Sequence, residues 1–556
     1  MAKLHGHYIR LISGLSGDDV QITLDELAAI LECTHRNVLH LIGKMQKRGW
    51  IEWTPSRGRG QRSRLRLLAP LQEVAAESLR ESMDGRGSLA DAASLIRSLA
   101  GTETLRESLQ SWLALYSGHH VERRHDRVLD TLRLPVNQPI QTIDPLRMNL
   151  LAESFVSSHV YDGLVRRGPG SEEILPGLAH AWETDAGRTD WLFHLRKEVP
   201  LHNGAMLDAG DVAASFRRLI ESPDGRLYSF VLRDIEEVRA VNPLTLRIRL
   251  RKPNELFLSY LCTSRAAVVP RDPEQAAGSP HVHRPIGTGP FKVAEFTRDI
   301  CVLEAFSPYY LGRAHLDRVE ILYIPWSAEP SAAESGFPFH VIPNPKGGQS
   351  GGWSHIRPET LIAKFITFNT KKAGPLSDPA VRAALVSGLG GGTSSAAAAG
   401  LSLTIATIPQ YAADAEYIAS ALEAFGVRTD IIAVPPEEFK GPVRMQADLI
   451  LFSLIRDRDE QLRRFDLYRT LAEHTTPELR SEIEAALHLI AREPSPEMRS
   501  GSFQRIEDRL ISDNHLHILY EKPMETAYMP SVRGVTFNSQ GWIDLRHVWF
   551  PRLPSE

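Results

Sequence analysis

The chain has 556 residues, 42% of them apolar and 24% charged, with a mass of 62.0 kDa and a formal net charge of −4. That content can fill cores for about two to four domains and places the chain among soluble globular proteins. Three cysteines, Cys33, Cys262 and Cys301, are far apart and odd in number, which argues against a disulfide scaffold and fits a reducing compartment. The first 30 residues lack the apolar core of a secretory signal and no run of 18 apolar residues occurs, so a cytoplasmic location with no membrane partner is expected.

The first readable element is the stretch from Thr23 to Arg66. Leu24, Leu27, Ala28 and Leu31 recur at helical spacing, and Thr23 with Glu26 three residues on forms a capping-box signature, so a short helix starts near Leu24. Glu32-Cys33-Thr34 interrupts it. In the run that follows, Val38, Leu41, Ile42 and Met45 share one face, while His35, Arg36, Asn37, His40 and Lys44 share the other. That is the pattern of a recognition helix, ended by Gly49 after Lys47 and Arg48. Ile51-Glu52-Trp53 and Leu65-Arg66-Leu67, joined across Arg57-Gly58-Arg59-Gly60, read as a basic β-hairpin, a wing.

From Met1 to Pro70 there are 11 Lys and Arg against 6 Asp and Glu, a net of +5, so the remainder of the −4 chain carries −9. A basic head on an acidic body points to double-stranded DNA as the head's partner, because clustered Lys and Arg neutralise phosphates. Arg36, Asn37 and His40, beside His35, are placed to read bases, Lys44 and Lys47 to touch phosphates, and Arg57, Arg59, Arg62 and Arg64 to set the wing on the minor groove or backbone. The head is expected to span residues 1–70.

Beyond it, amphipathic stretches at Leu71–Leu79, Leu89–Leu99 and Leu105–Tyr116 read as a helical connector, and the polar run SGHHVERRHDR from Ser117 as an exposed linker, together 71–127. The body is expected over 128–556 as mixed α/β, with strands at Leu244–Leu250 and Val319–Ile324 and helices at Leu207–Ile220 and Asp378–Val386. SGLGGGTSSAAAAG from Ser387 to Gly400 reads as a flexible bridge; it lacks the Lys that a phosphate loop needs.

No catalytic constellation emerges. Gly348-Gln349-Ser350-Gly351-Gly352 matches a nucleophile-elbow pattern, but the Trp353–Pro358 stretch that follows does not begin a helix. His281 with His283, and His119, His120 with His125, have no third ligand at metal-binding spacing. Neither an enzyme nor a metal or other cofactor is expected.

Four stretches resemble the large solute-binding proteins that serve peptide, nickel and opine transporters: Tyr161-Asp162-Gly163-Leu164-Val165; Pro176-Gly177-Leu178-Ala179 with Trp182-Glu183; WLFHLRKEVPLHNGAMLDAGD from Trp191 to Asp211; and Pro285-Ile286-Gly287-Thr288-Gly289-Pro290-Phe291. The resemblance implies a type II periplasmic-binding-protein-like body of two α/β lobes closing on a small molecule, lobe I over about 128–355 and 527–556 and lobe II over about 356–526. With the α+β winged-helix head and the closing Gly541-Trp542-Ile543-Asp544 and Trp549-Phe550, the multidomain chain resembles the SgrR group of transcriptional regulators.

That group implies a regulator whose solute-binding module senses a small metabolite or peptide and alters promoter binding, with homodimerisation open. The alternative is a transport-associated solute-binding protein of an ABC system. Transported-peptide binders carry a Trp and Asp motif in lobe II, whereas here the neighbourhood is Ala447 to Asp459 without Trp; Arg456, Asp457 and Arg458 are pocket candidates, and either arginine, if it faces the cleft, favours a phosphate or carboxylate ligand. Tyr161, Trp353 and Trp542 are the aromatic candidates.

Overall fold

The computed structural model describes residues 4–56, 61–71, 73, 74, 77, 117–124, 127–136, 139–168, 173–221, 227–271, 285–323, 341–342, 354–356, 361–392, 396–436, 438–439, 441–456, 459–523, 526–528, 532–538 and 543–551. The head is a winged helix in the order α1 (Leu4–Gly14), β1 (Asp19–Ile22), α2 (Leu24–Leu31), α3 (His35–Lys47), β2 (Ile51–Thr54) and β3 (Ser63–Leu67). β3 is central in an antiparallel sheet, with β1 and β2 on its two sides. The capping box on α2 is formed: Thr23 Oγ1 accepts from the Glu26 backbone amide, and the Glu26 carboxylate accepts from the Thr23 backbone amide.

Leu27, Leu31, Val38, Leu41, Ile42, Met45, Ile51 and Leu65 form the head's core together with Tyr8 and Leu11 of α1 and Val74 of the connector. The connector therefore contributes to the head's packing beyond residue 70.

The first lobe is built on a five-stranded sheet, ordered β12 (Phe291–Phe296), β13 (Ile300–Ala305), β14 (Arg318–Tyr323), β5 (Arg127–Val136) and β4 (Gly118–Arg124). The polar run from Ser117 is thus an edge strand and not a linker: β4 pairs antiparallel with β5 from Gly118↔Arg133 to Arg124↔Arg127. An edge strand with one solvated face tolerates polar composition. His119 is nonetheless anchored, stacked 3.7 Å from the Phe550 ring and 2.9 Å from Asp130 Oδ1.

From this sheet the chain passes through α4 (Leu151–Val160) to the hairpin of β6 (Val165–Arg167) and β7 (Ile174–Pro176). It then enters a second, antiparallel sheet of β8 (Ala179–Thr184), β9 (Asp190–Leu195), β10 (Ile235–Asn242) and β11 (Thr245–Leu250), in the order β10-β11-β9-β8. Against it packs α5 (Ala209–Ile220), whose N-cap Asp208 and third residue Asp211 make another capping box. Arg271 reaches both carboxylates, at 2.8 Å from Asp208 and 3.0 Å from Asp211. Short strands β15 (Val341–Ile342), β16 (Ser354–Ile356) and β22 (Thr526–Tyr528) form a small sheet where the chain passes to and from the second lobe.

The second lobe holds a five-stranded sheet of β17 (Leu361–Phe368), β18 (Ser402–Thr407), β19 (Arg428–Ala433), β20 (Leu449–Arg456) and β21 (Leu516–Pro523), ordered β19-β18-β20-β17-β21. β18 pairs in parallel with both β19 and β20. Helices α6 (Pro379–Leu389) and α7 (Ala412–Ala424) share a core with the sheet, while α8 (Glu460–Ala472), α9 (Pro477–Arg492) and α10 (Pro496–Ser512) belong to a different one. The glycine- and alanine-rich stretch from Ser387 is packed near both of its ends and is no flexible bridge there. Ser387–Leu389 finish α6, a Cβ on Gly388 would stand 2.7 Å from the Phe425 ring, and Ala398 is fully buried.

Replacing Thr23 by Ala removes the side-chain acceptor at the start of α2, and the head is expected to lose about 1 kcal/mol. Denaturant unfolding followed through α2 amide exchange measures it; an unchanged midpoint contradicts a stabilising cap.

Candidate functional site

Two surfaces qualify. On the head, the outer face of α3 is set by its period: with Val38, Leu41, Ile42 and Met45 buried, Arg36, Asn37, His40, Lys44 and Lys47 are all exposed. His35, the first residue of α3, is exposed as well, with Nε2 2.8 Å from Asp25 Oδ1. On the hairpin, β3 alternates: Ser63 and Leu65 point inward, and Arg62, Arg64 and Arg66 are exposed.

Arg62 donates to Glu26 at 2.9 Å, and Arg64 grips Asp19 with Nε and Nη2 at 2.9 and 2.5 Å. The Arg64 hydrogen bond holds the Asp19 carboxyl below its usual range, and the Thr23 backbone amide does the same for Glu26. Both arginines thus have acidic partners on the head. Arg57 and Arg59 lie outside the described residues.

In the body, three of the four signature stretches meet at the end of α4. Gly289 N donates to Val160 O at 2.9 Å, and a Cβ on Gly287 would stand 2.0 Å from Val160 O, so that corner admits only glycine. His202 of the His-Asn-Gly turn closes it. Its amide donates to Gly287 O at 2.9 Å, its Nδ1 accepts from Gly287 N at 3.2 Å, and its Nε2 donates to Gly289 O at 3.0 Å. Those two ring bonds require the neutral tautomer with the proton on Nε2. Burial drives the His202 pKa down to about 4, against the opposing pull of the Gly289 carbonyl.

The corner also positions a carboxylate. Asp162 is half-buried and accepts from Tyr309 OH at 3.2 Å and from Thr288 Oγ1 at 3.3 Å. Burial raises its pKa, while nearby Arg546 and the hydroxyl bonds oppose the rise. The Arg546 guanidinium is clamped by Asp544, whose pKa burial alone would raise but which Arg546 brings down to about 2. Arg196 lies over the Tyr310 ring, 5.6 Å from its centroid, and that ring stands edge-on to Tyr309 at 4.9 Å. The result is a partly buried polar cluster of Asp162, Thr288, Tyr309, Arg196 and Arg546 that carries both signs of charge, with the Thr288 and Tyr309 hydroxyls buried and turned onto Asp162.

The aromatic candidate beside it is placed otherwise. Tyr161 is 5% exposed within the first lobe's core, where its ring packs among apolar side chains. Trp353, Asp457, Arg458 and Trp542 lie outside the described residues; Arg456 ends β20, and its side chain is likewise outside them.

Across the lobes, Arg167 of β6 reaches Asp459, immediately before α8, at 2.9 Å, with Ser259 Oγ at 3.1 Å from the same nitrogen. Phe230 stacks on Phe465 at 4.1 Å, and Tyr228 N donates to Asp466 Oδ1 at 3.0 Å. One apolar cluster unites residues of the β8–β11 sheet with residues of α8, α9 and α10. A separate cavity of about 310 Å³, lined by Val128, Asp130, Arg313, His315, Trp549 and Phe550 among others, lies beside the root of β4.

Residues 3–119 match the family described as "Sugar transport-related sRNA regulator N-term", and residues 173–389 match "Bacterial extracellular solute-binding proteins, family 5 Middle". The chain has the domain make-up of the SgrR-type regulators. It is 27% identical to the HTH-type transcriptional regulator SgrR of Yersinia enterocolitica, over 99% of both chains. It is 26% identical to the protein YhjP of Bacillus subtilis, over 99% of this chain and all of that one. The peptide-bound periplasmic binding protein DppA of Helicobacter pylori superposes with a TM-score of 0.61 at 18% identity, covering 76% of this chain and 98% of that one. That likeness establishes the body's periplasmic-binding-protein-like fold. No helix of the described residues is long and apolar enough to cross a membrane.

Because the His202 pKa is depressed, the unfolded chain binds the extra proton first, so stability falls as pH drops from 6.5 towards 4. The melting temperature of the full chain is expected to decline over that window, and more shallowly in His202→Gln. Equal slopes for the two proteins contradict the role given to His202.

Proposed function

We propose that this chain is a DNA-binding transcriptional regulator whose two-lobed body senses a small metabolite or peptide and alters the head's hold on a promoter. The observation that carries the reading is the face of α3: five polar or cationic side chains, Arg36, Asn37, His40, Lys44 and Lys47, stand exposed on the helix whose opposite side anchors the head. In winged helices the corresponding helix enters the major groove. Relatives of matching length and domain order, named as HTH-type transcriptional regulators, support it.

In this reading Arg36, Asn37 and His40 meet base edges, Lys44 and Lys47 meet phosphates, and Arg62 and Arg64 exchange Glu26 and Asp19 for the DNA backbone. The effector binds in the body at the cluster of Asp162, Thr288, Tyr309, Arg196 and Arg546. A solute carrying an amine and an anionic group suits that mixture of one half-buried carboxyl and two guanidinium groups. Binding shifts the relative population of lobe arrangements, and the connector carries the change to the head. The chain acts where the chromosome is, which for a bacterial regulator is the cytoplasm.

Arg59→Ala with Arg62→Ala is expected to weaken binding of the full chain to duplex DNA and to reduce the slope of log K against log salt by about one to two phosphate contacts. Fluorescence anisotropy across a salt series reads both, and an unchanged affinity and slope contradict the wing's place on DNA.

A further inference from the structure

The C-terminal end of α3 terminates in a socket that the connector fills. Arg48 caps the helix, where its positive charge complements the negative end of the helix dipole. Its Nη1 donates to Glu77 Oε1 at 3.2 Å and lies 3.2 Å from His5 Nε2, while the guanidinium stands 5.1 Å over the Trp50 ring. Since arginine keeps its charge and only donates, His5 Nε2 is the acceptor in that contact. Glu77 Oε2 is 3.8 Å from the same His5 nitrogen, which as an acceptor has no proton to offer it, so the charge of the carboxylate is answered by Arg48.

Glu77 is held there by the packing around it. Val74, three residues earlier, is 1% exposed inside the head's core. Tyr8 OH lies 2.7 Å from Ala69 O and 3.1 Å from Trp50 O, fixing the chain where it leaves β3 for the connector. The family match to the N-terminal region runs through residue 119, so this joint lies within the matched unit.

We propose that Glu77 is an autoinhibitory contact: its carboxylate stands in for a DNA phosphate and withholds Arg48 from nucleic acid until the connector moves. A carboxylate and a phosphate oxygen make the same charge-assisted bond with a guanidinium. The pair keeps 41% and 45% side-chain exposure, so it is weak enough for a phosphate to replace it once Glu77 is drawn aside. Val74 keeps the joint assembled while Glu77, one turn further along, is the part that a shift of the connector displaces. The inference rests on the reading of the head as a DNA-binding unit.

The test is a double-mutant cycle on the full chain: wild type, Glu77→Gln, Arg48→Gln and the double variant, each titrated against a 30-base-pair duplex of mixed sequence over a salt series. Removing any acid raises affinity for DNA somewhat, so the cycle isolates the pair. Glu77→Gln is expected to tighten binding about threefold or more and to steepen the salt slope by about one contact, and to do neither in the Arg48→Gln background. Equal tightening in both backgrounds, or none in either, overturns the withholding role while leaving the DNA-binding reading in place. Absence of duplex binding by all four proteins overturns both. Amide exchange over Met45–Trp50 in Glu77→Gln, expected to quicken, reports separately on the contact, and unchanged exchange there also overturns the proposal.

Discussion

The body's polar cluster depends on one close approach of backbone to backbone. Val160, at the end of α4, presses its carbonyl against the corner at Gly287 and Gly289 so tightly that a Cβ on either glycine would overlap it. His202 bonds the corner from the other side, Thr288 reaches Asp162 from it while Tyr309 reaches the same carboxylate from beyond β13, and His159 in α4 accepts from Leu545 N to bring back the C-terminal segment that carries Asp544 and Arg546. Steric necessity at the glycines thus places a charged cluster whose members lie more than 380 residues apart in the chain.

The same economy governs the head. Trp50 is the shared neighbour of α1, the end of α3, the exit from β3 and the connector, through Tyr8, Arg48 and Ala69. In this unit α3 and the link to the body meet at one residue, which leaves a short distance between them. In the body, Arg167, Phe230 and Tyr228 of the first lobe are joined to Asp459, Phe465 and Asp466 of the second, so a change of lobe arrangement must break or slide a buried, mostly apolar contact. Such contacts switch between discrete arrangements better than they deform continuously.

Local chemistry made much of this legible from the sequence. Thr23 with Glu26, the alternation through β3 and the inward set Val38, Leu41, Ile42 and Met45 are short-range patterns, and the structure has them where the periodicity put them. The helix from Asp208 and the strand ending at Leu250 were visible for the same reason. Less legible was what depends on distant partners. α1 and β1 carry ordinary local signals: Leu4, Tyr8 and Leu11 stand at helical spacing in α1, and β1 gains its identity only by pairing with β3. β4 read as a linker because nothing in a polar edge strand announces its neighbour. Asp162 belongs to a fold signature in the sequence, where Tyr161 beside it is the aromatic candidate; the contacts from Thr288 and Tyr309 that give Asp162 its character come from more than 120 residues away.

The claim that joins these parts is that the exposed face of α3 meets DNA and the rest of the chain conditions that meeting. Amide hydrogen exchange of the full chain with and without duplex DNA tests it most directly. The account predicts slowed exchange concentrated in His35–Lys47 and the β2–β3 hairpin. Protection confined to the body, or none in the head at DNA concentrations that saturate binding, contradicts it.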